Sequence, residues 1–275
     1  MPPTNAQILA SWNFAPSIWL GFAILVGGYA LVVGPLRRRN IWGPPVSKIR
    51  QASFYLGMLA AWLALVSPLD YLSDNYLLSA HMVQHLLLIL VAPPLALAGL
   101  PDWLVDRALS GGFLRKIVYQ ITRALPAFIL FNGLFLVWHL PGLYDAALGD
   151  EGVHILEHLS FLLAATIGWW PVLGPSRRYA PPASPPVQML YMFMNMFPST
   201  ALAAIITFSA NPPYPFYAGV QRLWSLTVQA DQQLAGLIMW IPGTMVFFIT
   251  LSLIFARWFN AQSSEDEGVP SEPAK

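Results

Sequence analysis

The chain contains no cysteine. Disulfide frameworks, thiol redox motifs and thiolate metal sites are therefore excluded, and any metal site must use His, Met or carboxylate. Charge is the second scarcity: 10% of the 275 residues are Asp, Glu, Lys or Arg, against roughly 25% in a soluble domain. A soluble fold of this size would lack the polar surface to cover its core. Net charge is only +1 and no basic block is interleaved with aromatics, which removes nucleic acid as a partner. The segment ahead of the first apolar run has no charged side chain, so it does not read as a cleaved signal peptide.

What remains is apolar: 56% of residues are hydrophobic. A spanning helix needs about 20 mostly apolar residues, and seven runs qualify, near 17–36, 51–68, 78–99, 124–141, 153–173, 187–209 and 232–258. The expected fold is an all-α integral membrane bundle of seven transmembrane helices over 1–260, multi-pass in the lipid bilayer, followed by a polar, acidic tail over 261–275 with the composition of a disordered segment. Lys and Arg set the orientation. Arg37, Arg38, Arg39, Lys48 and Arg50 lie in the first loop, Arg107, Arg115, Lys116 and Arg123 in the third, and Arg177 and Arg178 in the fifth, while Arg257 precedes the tail. Seven crossings put all of these on one side, the cytoplasm. Asp70, Asp74, Asp145, Asp150 and Glu151 then fall outside, with Arg222 the one basic residue among them. The N-terminus is expected outside and the C-terminus inside. Trp12, Trp19, Trp42, Trp169, Trp170 and Trp258 sit near span ends and read as interfacial anchors. The longest outer segment, 211–230, opens with three prolines that forbid regular structure, and Ala218 to Gln229 reads as a short surface helix.

All five histidines fall at the outer ends of these spans. His81 and His85 open the third, His139 closes the fourth, and His154 and His158 open the fifth. Residues four apart on a helix share a face, so each H-x-x-x-H pair presents two imidazoles side by side. Helices joined by short loops pack as neighbours, which brings His139 beside the second pair. One histidine near a helix end is ordinarily a packed side chain. Two such pairs, with every histidine of the chain on one side, fit a shared metal or cofactor better, because ionisable groups in membrane helices are costly.

Imidazole without thiolate on the outer side favours copper, with zinc as second choice. Met82 is a candidate soft ligand. Met189, Met192, Met194 and Met196 on the sixth span read either as a thioether path or as ordinary gap-fillers. Gln84, Glu157, Asp145 and Asp231 are candidates to orient a ligating imidazole from behind, although Asp231 also suits a helix N-terminal cap.

Three blocks carry a family resemblance. The first is His81-Met82-Val83-Gln84-His85 with Ala92-Pro93-Pro94-Leu95 and Gly99-Leu100-Pro101. The second runs Trp138-His139-Leu140-Pro141, Tyr144-Asp145-Ala146-Ala147, His154 to His158, then Trp169-Trp170-Pro171. The third is Asp231-Gln232-Gln233-Leu234-Ala235-Gly236. Together they resemble the CtaG family of multi-helix cytochrome c oxidase assembly factors of bacterial membranes. The resemblance implies a non-enzymatic plasma-membrane protein that partners heme-copper oxidase subunits and supports their copper supply. It points to His81, His85, His139, His154 and His158 as ligands, with Asp231 as helper. An unrelated single-span copper chaperone shares the name and uses Cys ligands, which this chain lacks.

Rival readings remain. A heme b protein needs histidines on facing helices, whereas these pairs lie within one helix. His154-x-x-Glu157-His158 matches the inverted zinc-protease pattern, with Glu157 as general base. A di-iron oxygenase generally uses more histidines, on the cytoplasmic side. A metal-free scaffold for oxidase subunits is the fourth.

Overall fold

The computed structural model describes residues 2–37 and 43–266, is 80% helical, and has no strand among the described residues. Helix α1 (Asn5–Ala10) precedes α2 (Pro16–Leu31), which continues through a π-helical turn at Val32–Leu36. Helices α3 (Lys48–Val66) and α4 (Pro68–Asn75) follow, and α5 (Leu78–Leu86) passes through a second π turn, Leu87–Val91, into α6 (Ala92–Gly99). Next come α7 (Asp102–Ala108), α8 (Gly112–Ile121), α9 (Ala124–Trp138), α10 (Pro141–Gly149) and α11 (Glu151–Leu173). The chain then forms α12 (Pro185–Phe208), α13 (Pro215–Gly219) and α14 (Val228–Asp266).

Among the described residues, six helical runs are long and apolar enough to cross a membrane, and α8 with α9, bent by 73° at their junction, make a seventh if the pair is one span. They fall on the apolar runs read from the sequence. The fourth run stops at Trp138 instead of 141, because Pro141 opens α10 and His139 becomes the C-cap of α9. Helix α14 continues past 260 to Asp266, into the stretch assigned to the tail. Residues 267–275, like Arg38, Arg39 and Trp42, lie outside the described residues.

The bundle has two distinct ends. At one, Arg50 donates to the Leu100 carbonyl at 2.5 Å and stands 3.9 Å from Asp102. There too Ser176 donates to Asp106, and the guanidinium groups of Arg115 and Arg178 lie over the Tyr179 ring. At the other, Asn13 donates to Asp70, the backbone of α5 donates to Asp231, and Tyr214 donates to the His139 carbonyl. The first is the basic end and the second the histidine end.

Membrane helices gain little from hydrophobic contrast and pack through close backbone approach. Gly236 of α14 lies so near α12 that a Cβ there would stand 2.2 Å from Thr207 Oγ1. Gly57 of α3 meets the Ala92 carbonyl of α6 in the same way, at 2.8 Å. Large apolar side chains such as Leu20, Ile24, Leu156, Leu163 and Phe248 point outward, as a lipid-facing surface requires.

The second π turn, Leu87–Val91, directly precedes Pro93 and Pro94. Pro93 has no N–H for the carbonyl of Ile89, four residues back, and apolar surroundings offer no water in its place. Trp169 supplies the donor: its indole N–H reaches the Ile89 oxygen at 2.9 Å. Trp169 and Trp170 are thus buried donors rather than interfacial anchors, with Trp170 donating to the Ala180 carbonyl. The expected surface helix at Ala218 to Gln229 is displaced. Pro215 starts α13 earlier, at the favoured first position, and Trp224 and Ser225, both at positive φ, break the chain before Val228.

Candidate metal centre

Three helices deliver the histidines, and each is set by an identifiable stop or cap. Asp150 caps α11 by accepting from the Val153 N–H at 3.0 Å. His154 and His158 then sit in its first two turns, ring centroids 4.2 Å apart. Leu77, at the N-cap of α5, has no polar side chain to offer. Asp231 of α14 reaches across instead, accepting from Leu78 N (2.9 Å), Ser79 N (3.1 Å) and Ser79 Oγ (2.6 Å). That cap fixes the start of the helix carrying His81 and His85. His139 closes α9, with Nδ1 2.7 Å from the Phe135 carbonyl.

These placements bring all five rings into one group. His81 and His85 approach to 2.7 Å between Nε2 atoms. Ring centroids are 5.9 Å apart for His81 and His154, 5.7 Å for His85 and His158, and 6.1 Å for His85 and His139. Ligand atoms of His81, His154, Glu157 and His158 all lie within 4.8 Å of one another. Glu157, expected behind the imidazoles, is therefore among them. It is 1% exposed, as buried as His81 at 0%.

The hydrogen bonds fix which nitrogens are free. Tyr217 donates its hydroxyl proton to the Ser73 carbonyl at 2.5 Å, so at 3.1 Å it accepts from His81 Nδ1–H. His81 Nε2 is then the unprotonated partner in its 2.7 Å contact with His85 Nε2, and the His85 ring leaves its Nδ1 without a partner. The Phe135 carbonyl can only accept, so His139 also carries its proton on Nδ1 and leaves Nε2 bare. His154 turns Nδ1 toward Asp74, 3.6 Å away. Among the described residues, six buried atoms of the group have no hydrogen-bond partner: His85 Nδ1, the Nε2 atoms of His139, His154 and His158, and both carboxylate oxygens of Glu157. A buried polar atom without a partner costs roughly 1–3 kcal/mol. Six together rival the ~5–15 kcal/mol net stability of a folded domain. A cation bound by converging imidazoles and a carboxylate answers that cost, so the donor set fits a metal.

Other residues singled out in the sequence hold the frame. Asp145 accepts from the Phe216 N–H at 3.4 Å and so ties α10 to α13. Gln84 faces away from the rings, donating to the Ala64 carbonyl and to Asp70 at 2.9 Å. Arg222 donates to the carbonyls of Tyr76 and Tyr217 and stands 3.9 Å from Asp231, which accounts for a lone basic residue at this end. Met82 lines a narrow cavity beneath His85 and His139. Met192 is buried and Met194 exposed, so the methionines of α12 do not share one environment.

Sequence reading missed Tyr144, Tyr214, Tyr217, Asp70 and Asp74 as parts of this site. Tyr144 stacks on Tyr214 at 3.9 Å and lies 5.1 Å from His81. Asp70 and Asp74 share helix α4, joined through Ser73, which donates to Asp74. Burial raises both carboxyls well above the usual range, and for Asp70 the neighbouring Asp74 charge adds to the rise. Asp74, 28% exposed, is the more open member of its pair with His154, at 15%. The available signal was the acidic character of that segment, which had served only to assign orientation.

A multi-helix membrane protein with a buried histidine–carboxylate group at one end is thus defined. The chain belongs to the Caa3_CtaG family, the cytochrome c oxidase caa3 assembly factors, which it matches over residues 27–261. It is 25% identical over 302 aligned positions to uncharacterized proteins of Mycobacterium bovis and Mycobacterium tuberculosis, covering 99% of this chain and 44% of theirs. A third, from Mycobacterium leprae, is 25% identical over 284 positions, covering 94% of this chain and 41% of that protein. The chain therefore spans less than half the length of the curated relatives it matches. No solved structure matches it.

Proposed function

We propose that this protein supports maturation of a heme-copper oxidase by holding copper at the histidine end of its bundle. The observation that carries the reading is the set of buried, unpartnered ligand atoms on His85, His139, His154, His158 and Glu157 around His81. Family membership supplies the process, and the imidazole-rich, cysteine-free donor set supplies the metal class. Copper is the cargo, with zinc the second choice.

The basic end faces the cytoplasm by the charge rule for membrane proteins, so the histidine end faces outward across the bacterial plasma membrane. Seven crossings, with the N-terminus outside and the C-terminus inside, fit this placement. His81, His154 and His158 with Glu157 hold the ion, and His85 joins them through its position beside His81 and Glu157. Tyr217 holds the His81 proton on Nδ1, and Asp74 stands 3.6 Å from His154 Nδ1, so Nε2 of each ring is the ligand atom. Ligands drawn from separate helices permit release by a small shift of α5 against α11. The oxidase subunit receives the ion at the acidic outer face.

The test is copper content of the detergent-purified protein and of the oxidase in cells. Replacing His81, His85 and His158 together with Ala is expected to remove copper from this protein and lower it in the oxidase. Normal oxidase copper in that variant sinks the proposal.

One observation favours a second reading. Glu157 lies within the group formed with His154 and His158, as the inverted zinc-protease pattern requires. Zinc-dependent hydrolysis abolished by Glu157→Gln with zinc retained would select it, and so would set aside a purely non-enzymatic role.

A further inference from the structure

Beneath the histidine group lies a narrow cavity of about 30 Å³, lined almost wholly by apolar surface. Four of its lining residues carry metal-binding chemistry: Met82 and His85 of α5, His139 at the end of α9, and Met239 of α14. All four are buried, the methionines at 2% and 4% exposure. Met82 and His85 are three residues apart and share a helix face. His139 has its Nδ1 proton pinned to the Phe135 carbonyl and its Nε2 buried without a partner. The amides that also line the cavity are engaged with each other and with the backbone: Asn132 donates to Asn195 at 2.8 Å, and Asn195 donates to the Tyr191 carbonyl. The 6.1 Å between the His85 and His139 ring centroids leaves room for an ion with metal–nitrogen bonds of roughly 2 Å.

We propose a second metal position here, softer than the first: a monovalent copper site built from His139, Met82 and Met239, with His85 common to both positions. The proposal rests on the reading of the histidine group as a metal site and adds a distinct subsite to it. Thioether sulfur selects Cu(I) over Zn(II) or Cu(II), whereas the imidazole–carboxylate set above has no such preference. His85 links the two, with Nε2 toward His81 and a wall of the cavity on its other flank. An ion can then pass between positions without leaving its histidine ligand. Gap-filling alone accounts for buried methionines, but it does not account for the unpartnered nitrogen of His139, which lines the same cavity.

The chain offers a clean readout, because with no cysteine any sulfur bound to copper belongs to methionine. X-ray absorption of the Cu(I)-loaded, detergent-purified full chain is expected to show sulfur scattering that is lost in the Met82→Leu/Met239→Leu double variant. Binding of Ag(I), a redox-inert stand-in, should weaken by about tenfold or more in that variant and in His139→Ala, while Zn(II) binding by the methionine double variant stays at the wild-type level. Far-UV circular dichroism and the melting temperature check the fold of both. Zn(II) bound by the wild type, with nitrogen-only copper scattering and Ag(I) affinity indifferent to all three substitutions, overturns this inference and leaves the histidine site standing. Binding of no metal at all by the wild type overturns both.

Discussion

At the basic end of the bundle, several polar side chains have protein partners. Arg50 meets the Leu100 carbonyl and Asp102, Ser176 meets Asp106, and Trp170 meets the Ala180 carbonyl. At the histidine end the polar groups are buried more deeply, and a set of them has no hydrogen-bond partner among the described residues. The partners present there, Asp231, Tyr217 and Phe135, bind the backs of the helices and rings and leave the fronts free. Matched pairs hold the helices in register. The unmatched set carries a burial cost that a bound cation would offset, and its location separates it from the supporting pairs more clearly than burial does.

Breaking this contrast gives graded expectations. Asp74→Asn removes the carboxylate behind His154 and should weaken metal binding by about 10–100-fold with little change in melting. Equal affinity in a competition titration would mean that Asp74 does nothing for the site. Asp231→Ala uncaps α5 and should cost about 1–2 kcal/mol of stability, read as a lowered melting temperature in detergent. Because α5 carries two of the histidines, metal affinity should fall in parallel, and adding metal should recover part of the lost melting temperature. Ser176→Ala at the basic end should cost about 0.5–1.5 kcal/mol and leave metal affinity untouched. A metal effect there would show that the two ends are coupled, contrary to the separation drawn above.

Much of this was readable before any coordinates. A run such as 78–99 declares itself because a spanning helix has no polar alternative, and its bounds coincide with Leu78–Gly99. The H-x-x-x-H pairs were legible because helical spacing alone puts both rings on one face. Short helices such as α4, α7 and α10 were not, since fewer than ten residues of mixed composition carry little periodic signal. Tyr217 and Asp74 were missed for a different reason: their value lies in contacts across as many as 144 positions, as from Tyr217 to Ser73. Trp169 and Trp170 misled, because position in the chain resembles an interfacial belt while the missing donor of Pro93 draws the first of them inside.

Helix α9 has 15 residues, which at 1.5 Å per residue is about 22 Å, against a hydrocarbon layer of about 30 Å. Helix α8 turns away by 73° and adds little rise along the same axis. A span that short is matched by thinning of the adjacent lipid, by snorkelling side chains at its ends, or by association with a neighbour. A neighbouring membrane protein that displaces those strained lipids gains free energy before any specific contact forms. A partner on the flank where His139 closes the helix would meet that lower lipid cost. Thinner bilayers should accordingly stabilise the isolated protein, and the gain should shrink once a partner occupies that flank.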